Sequence, residues 1–172
     1  MSRIEPGAAT IPTVDELAQE LLLIQQSGPR KVAIIGTRNL PLTHQQLVEM
    51  LSYALVLSGN QVVTSGGANG CNMAVIRGAQ RANPDRLNII LPQTISQQPG
   101  EVQDLLIGIK NIVEYPERRT MTLADASRIC NHEIIDRCQQ IICFLYHTSH
   151  TLLESVNYAK EHRKIVTSFY LD

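Results

Sequence analysis

Five short runs of β-branched and aliphatic residues recur along the chain, with helical patterns between them. The runs are "KVAIIG" (31–36), "QVVTSGG" (61–67), "LNIILP" (87–92), "QQIICFLY" (139–146) and "KIVTSFY" (164–170). Each is too short for a helix and apolar on both sides, which is the signature of a strand covered on both faces. Between them "THQQLVEMLSYALVLSG", "NMAVIRGAQRA", "TLADASRICNHEIIDRC" and "TLLESVNYAKEHR" carry helical spacing, with a short helix around 101–108 and a short strand around 110–114. Thr13 with Glu16, Thr43 with Gln46 and Thr151 with Glu154 read as capping boxes at three helix starts. Leu47, Met50, Leu51, Ala54 and Leu55 form one apolar face, read as core with room for part of a partner subunit. Strands alternating with helices predict an α/β fold: a Rossmann-like, doubly wound, mostly parallel sheet with helices on both faces. The expected organisation is a loose arm over residues 1–12, with Pro6, Gly7 and Pro12, and a single domain over 13–172.

The length of 172 residues suits one domain with a two-sided core. An apolar fraction of 44% and a charged fraction of 18% belong to a globular chain rather than a disordered one. No apolar run approaches the roughly 20 residues needed to cross a bilayer. The start "MSRIEPGAAT" lacks the apolar core of a signal peptide, so the expected location is cytoplasmic. Net charge is −1, without the basic excess of a dedicated duplex-DNA binder, so any nucleic-acid contact must rest on a local cluster. Cys71, Cys130, Cys138 and Cys143 stand singly without a C-x-x-C pair, which predicts reduced core thiols and no metal site.

In such a sheet ligands lie beyond the carboxyl ends of the strands, near the switch in strand order. That selects four loops: "GTRNLP", "SGGANGCN", "LPQTISQQPG" and "YHTSHT". The second brings Ser65, Gly66, Gly67, Ala68, Gly70 and Asn72 to a helix start, where backbone amides and the helix dipole suit a phosphate. Its glycines are read as the means of a close approach, since a Cβ would hold a phosphate off. It is neither a Walker A loop nor G-x-G-x-x-G, and no cofactor is expected. Gly36, Thr37 and Arg38 end the first strand, and Arg38 can fork onto phosphate oxygens. Thr148, Ser149 and Thr151 open the last helix, while His147 and His150 receive no role. Arg118 and Arg119, with Arg128 nearby, could grip a phosphate or DNA backbone, or form a solvated face with Glu114, Glu117 and Asp125. No Ser-His-Asp set or nucleophile elbow occurs.

"VAIIGTR", a helix, "VVTSGGANGCNMAVIRGA" and "LNIILP" together resemble the Rossmann-like domain of DNA-processing protein A (DprA/Smf), over about residues 30–170. The resemblance places the chain in the SLOG group with the Lonely Guy-type phosphoribohydrolases. It implies a phosphate-ligand site for single-stranded DNA or a nucleotide, and a homodimer or higher homo-oligomer. The family's Asp after the glycine loop falls on Asn72. Its Arg-Asn-Arg block falls on Asn131, His132 and Glu133, removing two positive charges, and His150 replaces a glycine. Thr151 and Glu154 match the T-x-x-E part of the Lonely Guy motif, which makes Glu154 the candidate carboxylate of a hydrolase alternative. A protein-interaction module that has lost the ligand is the third reading.

Overall fold

The computed structural model describes residues 13–18, 30–66 and 70–172. Residues 14–18 are helical, and the capping box that opens them is present: the Thr13 N–H donates to Glu16 Oε2 (2.8 Å) and the Glu16 N–H to Thr13 Oγ1 (3.3 Å). Residues 1–12, expected to form a loose arm, and residues 19–29 lie outside the described residues.

From residue 31 onward the chain runs β1 (Lys31–Gly36), α1 (Leu42–Leu57), β2 (Gln61–Ser65), α2 (Cys71–Ala82), β3 (Leu87–Ile90), α3 (Gly100–Leu106), β4 (Ile112–Val113), α4 (Leu123–Asp136), β5 (Gln140–Leu145), α5 (His150–Glu161) and β6 (Ile165–Tyr170). The six strands form one sheet in the order β4-β3-β2-β1-β5-β6, and every pairing is parallel. The sheet is therefore wholly parallel.

Alternation along each strand divides the core in two. Val32 and Ile34 of β1, with Ile142 and Phe144 of β5, join α1, α2 and α3 on one face. Ala33 and Ile35, with Ile141, Cys143 and Leu145, join α4 and α5 on the other. Because both faces are covered, β1 shows four consecutive buried residues and β5 five. This is the physical origin of the continuous apolar runs.

Two helix starts differ from expectation. Helix α1 begins after Pro41, whose φ of −58° already suits a helix, so Thr43 sits inside the first turn. Helix α5 begins after Ser149, which leaves Thr151 inside it rather than at the cap. The capping residue that sequence pattern missed is Thr122, whose Oγ1 accepts from the Asp125 N–H (3.2 Å) at the start of α4.

The buried face of α1 is also displaced. Val48, Ser52 and Val56 point inward, whereas Leu47 and Met50 are 60% and 65% exposed and Ala54 faces solvent. The reason is Ser52, whose hydroxyl donates to the Val75 carbonyl (2.7 Å) in the contact between α1 and α2. A small hydroxyl with a buried acceptor packs inward although its residue type reads as outward.

All four thiols are free and buried. Burial pushes Cys130, Cys138 and Cys143 up to about 12 and Cys71 further still. Among the described residues no cluster of three or more metal-ligating side chains exists, and no helix is long and apolar enough to cross a membrane.

A thiol raised in the fold stays protonated while its unfolded counterpart ionises. Its contribution is thus complete below the ordinary thiol range and is lost as pH rises toward 12. Urea unfolding followed from pH 8 to 10.5 should show stability falling above about pH 9, by up to about 1.4 kcal/mol per pH unit for each thiol. Cys143→Ala should make that decline shallower, and an unchanged slope would refute the assignment.

Candidate functional site

The chain steps outward from β1 to β4 and then returns to place β5 on the other side of β1. The carboxyl ends of β1 and β5 thereby flank the switch point of the sheet. A cleft of about 570 Å³ opens there, and it gathers all four loops selected from the sequence.

The loop after β1 contributes Gly36, Thr37, Arg38 and Asn39, and that after β2 contributes Ser65, Gly66 and, at the start of α2, Asn72. Pro92, Gln97, Gln98 and Pro99 come from the segment after β3, and Ser149, His150, Thr151 and Leu152 from the start of α5. Leu123, Ala124, Ser127 and Asn131 of α4 complete the walls. Leu123, Ala124 and Ser127 were not anticipated, whereas the resemblance sets Asn131 in a site block of the family. The signal that could have found them is Thr122 followed by Asp125, a T-x-x-D cap that points the first turn of α4 at the same opening.

Thr37 organises the opening. Its N–H donates to the Phe144 carbonyl (2.9 Å) and its own carbonyl accepts from the Cys71 N–H (3.1 Å). Gly70 supports that join: its φ is +119°, and a Cβ there would stand 2.5 Å from the Arg38 carbonyl oxygen. Gly66 has a similar reason, since a Cβ would press on Leu91 and stand 2.9 Å from Gln98 Oε1. Neighbouring protein atoms are thus by themselves enough to exclude a Cβ at these two glycines. Gly67 and Ala68 lie outside the described residues.

The electrostatics of the cleft favour an anion. Three helices present their N-termini to it, α2 through Asn72, α4 through Leu123 and Ala124, and α5 through His150 and Thr151. No described residue accepts from the backbone N–H groups of Leu123, Ala124, Thr151 or Leu152. Such free first-turn amides carry the positive end of the helix dipole. Arg38 is exposed and makes no ion pair among the described residues, and no acidic side chain appears in the described lining.

The model of the DNA recombination-mediator protein A family matches residues 22–144. The chain belongs to that family. DprA from Helicobacter pylori, solved for its single-stranded DNA binding mode, superposes with a TM-score of 0.69 at 23% identity, over 82% of this chain and 65% of that one. DprA from Streptococcus pneumoniae superposes at 0.65 and 20% identity, over 82% of this chain and 50% of that one. At these identities the likeness is one of fold, and the chain spans less than two thirds of either solved protein. No curated protein sequence matches it.

Within this DprA-family domain, Asn72 stands where the resemblance placed an Asp. Its Nδ2 donates to the Gly66 carbonyl (3.2 Å) and its Oδ1 accepts from the Thr64 hydroxyl (3.4 Å), so it ties β2 to α2 without charge. Asn131 faces the cleft, whereas His132 stacks on Tyr158 (4.0 Å between centroids) and Glu133 pairs with Arg118.

Not all the predicted site residues come together. Arg118 lies mostly buried, its guanidinium 3.8 Å from the Tyr115 ring centre and its charge matched by Glu133. None of the three acidic partners expected from sequence takes that role. Glu114 accepts from the Ile95 N–H (2.7 Å) and Asp125 caps its own helix. Arg119 and Thr148 are exposed and outside the cleft lining. Glu154 also lies outside it, in a shallower neighbouring cleft, bonded to Arg128 at 3.1 Å.

His147, left without a role by sequence, has one in the fold. Its backbone N–H donates to the Asp172 carboxylate (3.0 Å), its Nδ1 lies 2.9 Å from the same oxygen, and its ring stacks on Tyr170. These bonds hold the Asp172 carboxyl below its usual range and tie the chain end to the loop before α5.

Gly70→Ala is expected to lower unfolding stability by about 1–3 kcal/mol, because it combines a left-handed backbone with a clash at Arg38. Urea denaturation of the purified variant checks this, and an unchanged midpoint would refute the close approach.

Proposed function

We propose that the chain is a non-catalytic binder of a phosphate-bearing ligand, with single-stranded DNA as the first candidate. One observation carries the reading. Amides from two helices and Arg38, none with a partner among the described residues, converge on a cleft whose described lining holds no carboxylate. Such a surface attracts a phosphate and offers no side-chain general base of the Asp or Glu type. The family membership and the DNA binding of the H. pylori relative support the choice of nucleic acid. Gly36, Thr37, Ser65, Gly66, Asn72, Ser149 and Thr151 take supporting places around the phosphate, with Arg38 as its cationic contact.

A single nucleotide is the second reading, and the charge distribution favours it. A strand-tracking groove uses a row of cations. Here Arg118 is neutralised by Glu133, and the described cleft lining leaves Arg38 to act alone apart from His150. The Lonely Guy-like hydrolase is the weakest reading, because Glu154 stands outside the cleft and pairs with Arg128.

Titration with an oligo-dT strand and with nucleoside mono-, di- and triphosphates, read by thermal shift and anisotropy, separates these readings. Arg38→Met is expected to weaken binding roughly ten- to a hundredfold. For the strand, log affinity should fall with log salt at a slope of about −0.7, the value for one phosphate contact, and Arg38→Met should flatten it. Retained affinity in that variant, or no binding by the wild type, defeats the proposal. Release of free base from a nucleotide, abolished in Glu154→Gln, would revive the hydrolase.

The same reading takes the chain to be a homo-oligomer. The exposed row Leu47, Met50, Ala54 and Leu57 on α1 supports a second copy as the partner, since these residues recur at helical spacing with no described cover. Sedimentation velocity should give a mass above one chain, falling to one chain in Met50→Glu. A monomeric wild type removes this expectation.

A further inference from the structure

Five carboxamides line the cleft: Asn39, Asn72, Gln97, Gln98 and Asn131. Four are accounted for. Asn72 spans Thr64 and Gly66. Gln97 donates to the Arg119 carbonyl (3.1 Å) and accepts from the Thr94 hydroxyl (3.0 Å). Asn131 donates to Ser155 Oγ (3.3 Å), and Asn39 is exposed, where water serves it. Gln98 differs. It is only 7% exposed, its Oε1 is buried, and neither end of its carboxamide meets a partner among the described residues.

Its backbone is fully engaged by contrast. The Gln98 N–H donates to the Ile95 carbonyl (3.0 Å), and its carbonyl accepts from Gln103 Nε2 (2.7 Å). The residue is held in place while its polar end is left free, which is costly for a buried amide unless something else completes it. Gly66 keeps the space for that end, since a Cβ there would stand 2.9 Å from Oε1.

A phosphate cannot complete a carboxamide, because its oxygens accept from the N–H₂ but offer nothing to the carbonyl. A nucleobase edge carries a donor beside an acceptor and matches both ends. Pro92, Pro99, Leu123 and Leu152 in the same lining give the faces of a base an apolar surface. The terminal torsion of glutamine is roughly two-fold, so the unheld amide can turn either end to the ligand.

We propose that Gln98 recognises the edge of a nucleobase whose phosphate is held by the helix N-termini and Arg38. This rests on the phosphate-ligand reading above. It makes Gln98 the residue that separates a base-bearing ligand from a bare sugar phosphate.

The test compares ligands with and without a base: oligo-dT against an abasic oligonucleotide of equal length, and adenosine monophosphate against ribose 5-phosphate. Wild type is expected to prefer the base-bearing member by roughly tenfold. Gln98→Met, close in size, should erase most of that preference, whereas Arg38→Met should weaken both members alike. Melting temperature verifies folding, and Gln98→Asn, which withdraws the amide, makes the same comparison if the Met variant does not fold. Equal wild-type affinities, or an equal loss for both members in Gln98→Met, overturn the inference and leave the phosphate site standing. Binding of neither member overturns the site and the inference together.

Discussion

The cleft depends on the backbone of Thr37. Through one donated and one accepted hydrogen bond this residue joins β1 to the end of β5 and to the first turn of α2. A parallel sheet sets its strand ends side by side but does not fix the loops that leave them. Here the fixing is done by main-chain groups, with Gly70 allowing the contact to close against Arg38. Arg38 is thereby carried on a braced turn, and the start of α2 is held facing the same opening. Side-chain identity matters less at this junction than the absence of a Cβ.

The phosphate site proposed above would be of a particular kind. The ends of α2, α4 and α5 would lend it positive potential beside Arg38, and these ends are fixed dipoles rather than mobile charges. Such groups need no rearrangement when a ligand arrives and cannot be titrated. Such an arrangement would reconcile a net charge of −1 with the proposed phosphate site.

The sheet was legible because strands covered on both faces leave uninterrupted apolar runs, as in Ala33 with Ile35 on one face and Val32 with Ile34 on the other. The four cleft loops followed from strand order alone. Most of the wall from α4 was not legible, because Leu123, Ala124 and Ser127 carry no motif and enter only when Thr122 aims the helix; Asn131 alone was marked, by the family's Arg-Asn-Arg block. Ser52 misled in another way: a polar residue type hid a buried contact, so Leu47 and Met50 were read as core. Arg118 and Arg119 show a third limit. Adjacent in sequence, they diverge in space, one sealed against Glu133 and Tyr115 and the other in solvent. The glycines were read as room for a ligand, and the neighbours that exclude a Cβ at Gly66 and Gly70 come from other loops, which no local pattern reveals.

The four cysteines add a consequence of another sort. A thiol must reach the surface and lose its proton before peroxide can attack it. Here both conditions fail in all four, so an oxidant reaches a thiol when the fold opens and not before. Cysteine oxidation in this protein would record how often the domain opens, and the intact domain would come through an oxidative burst with its four thiols unaltered.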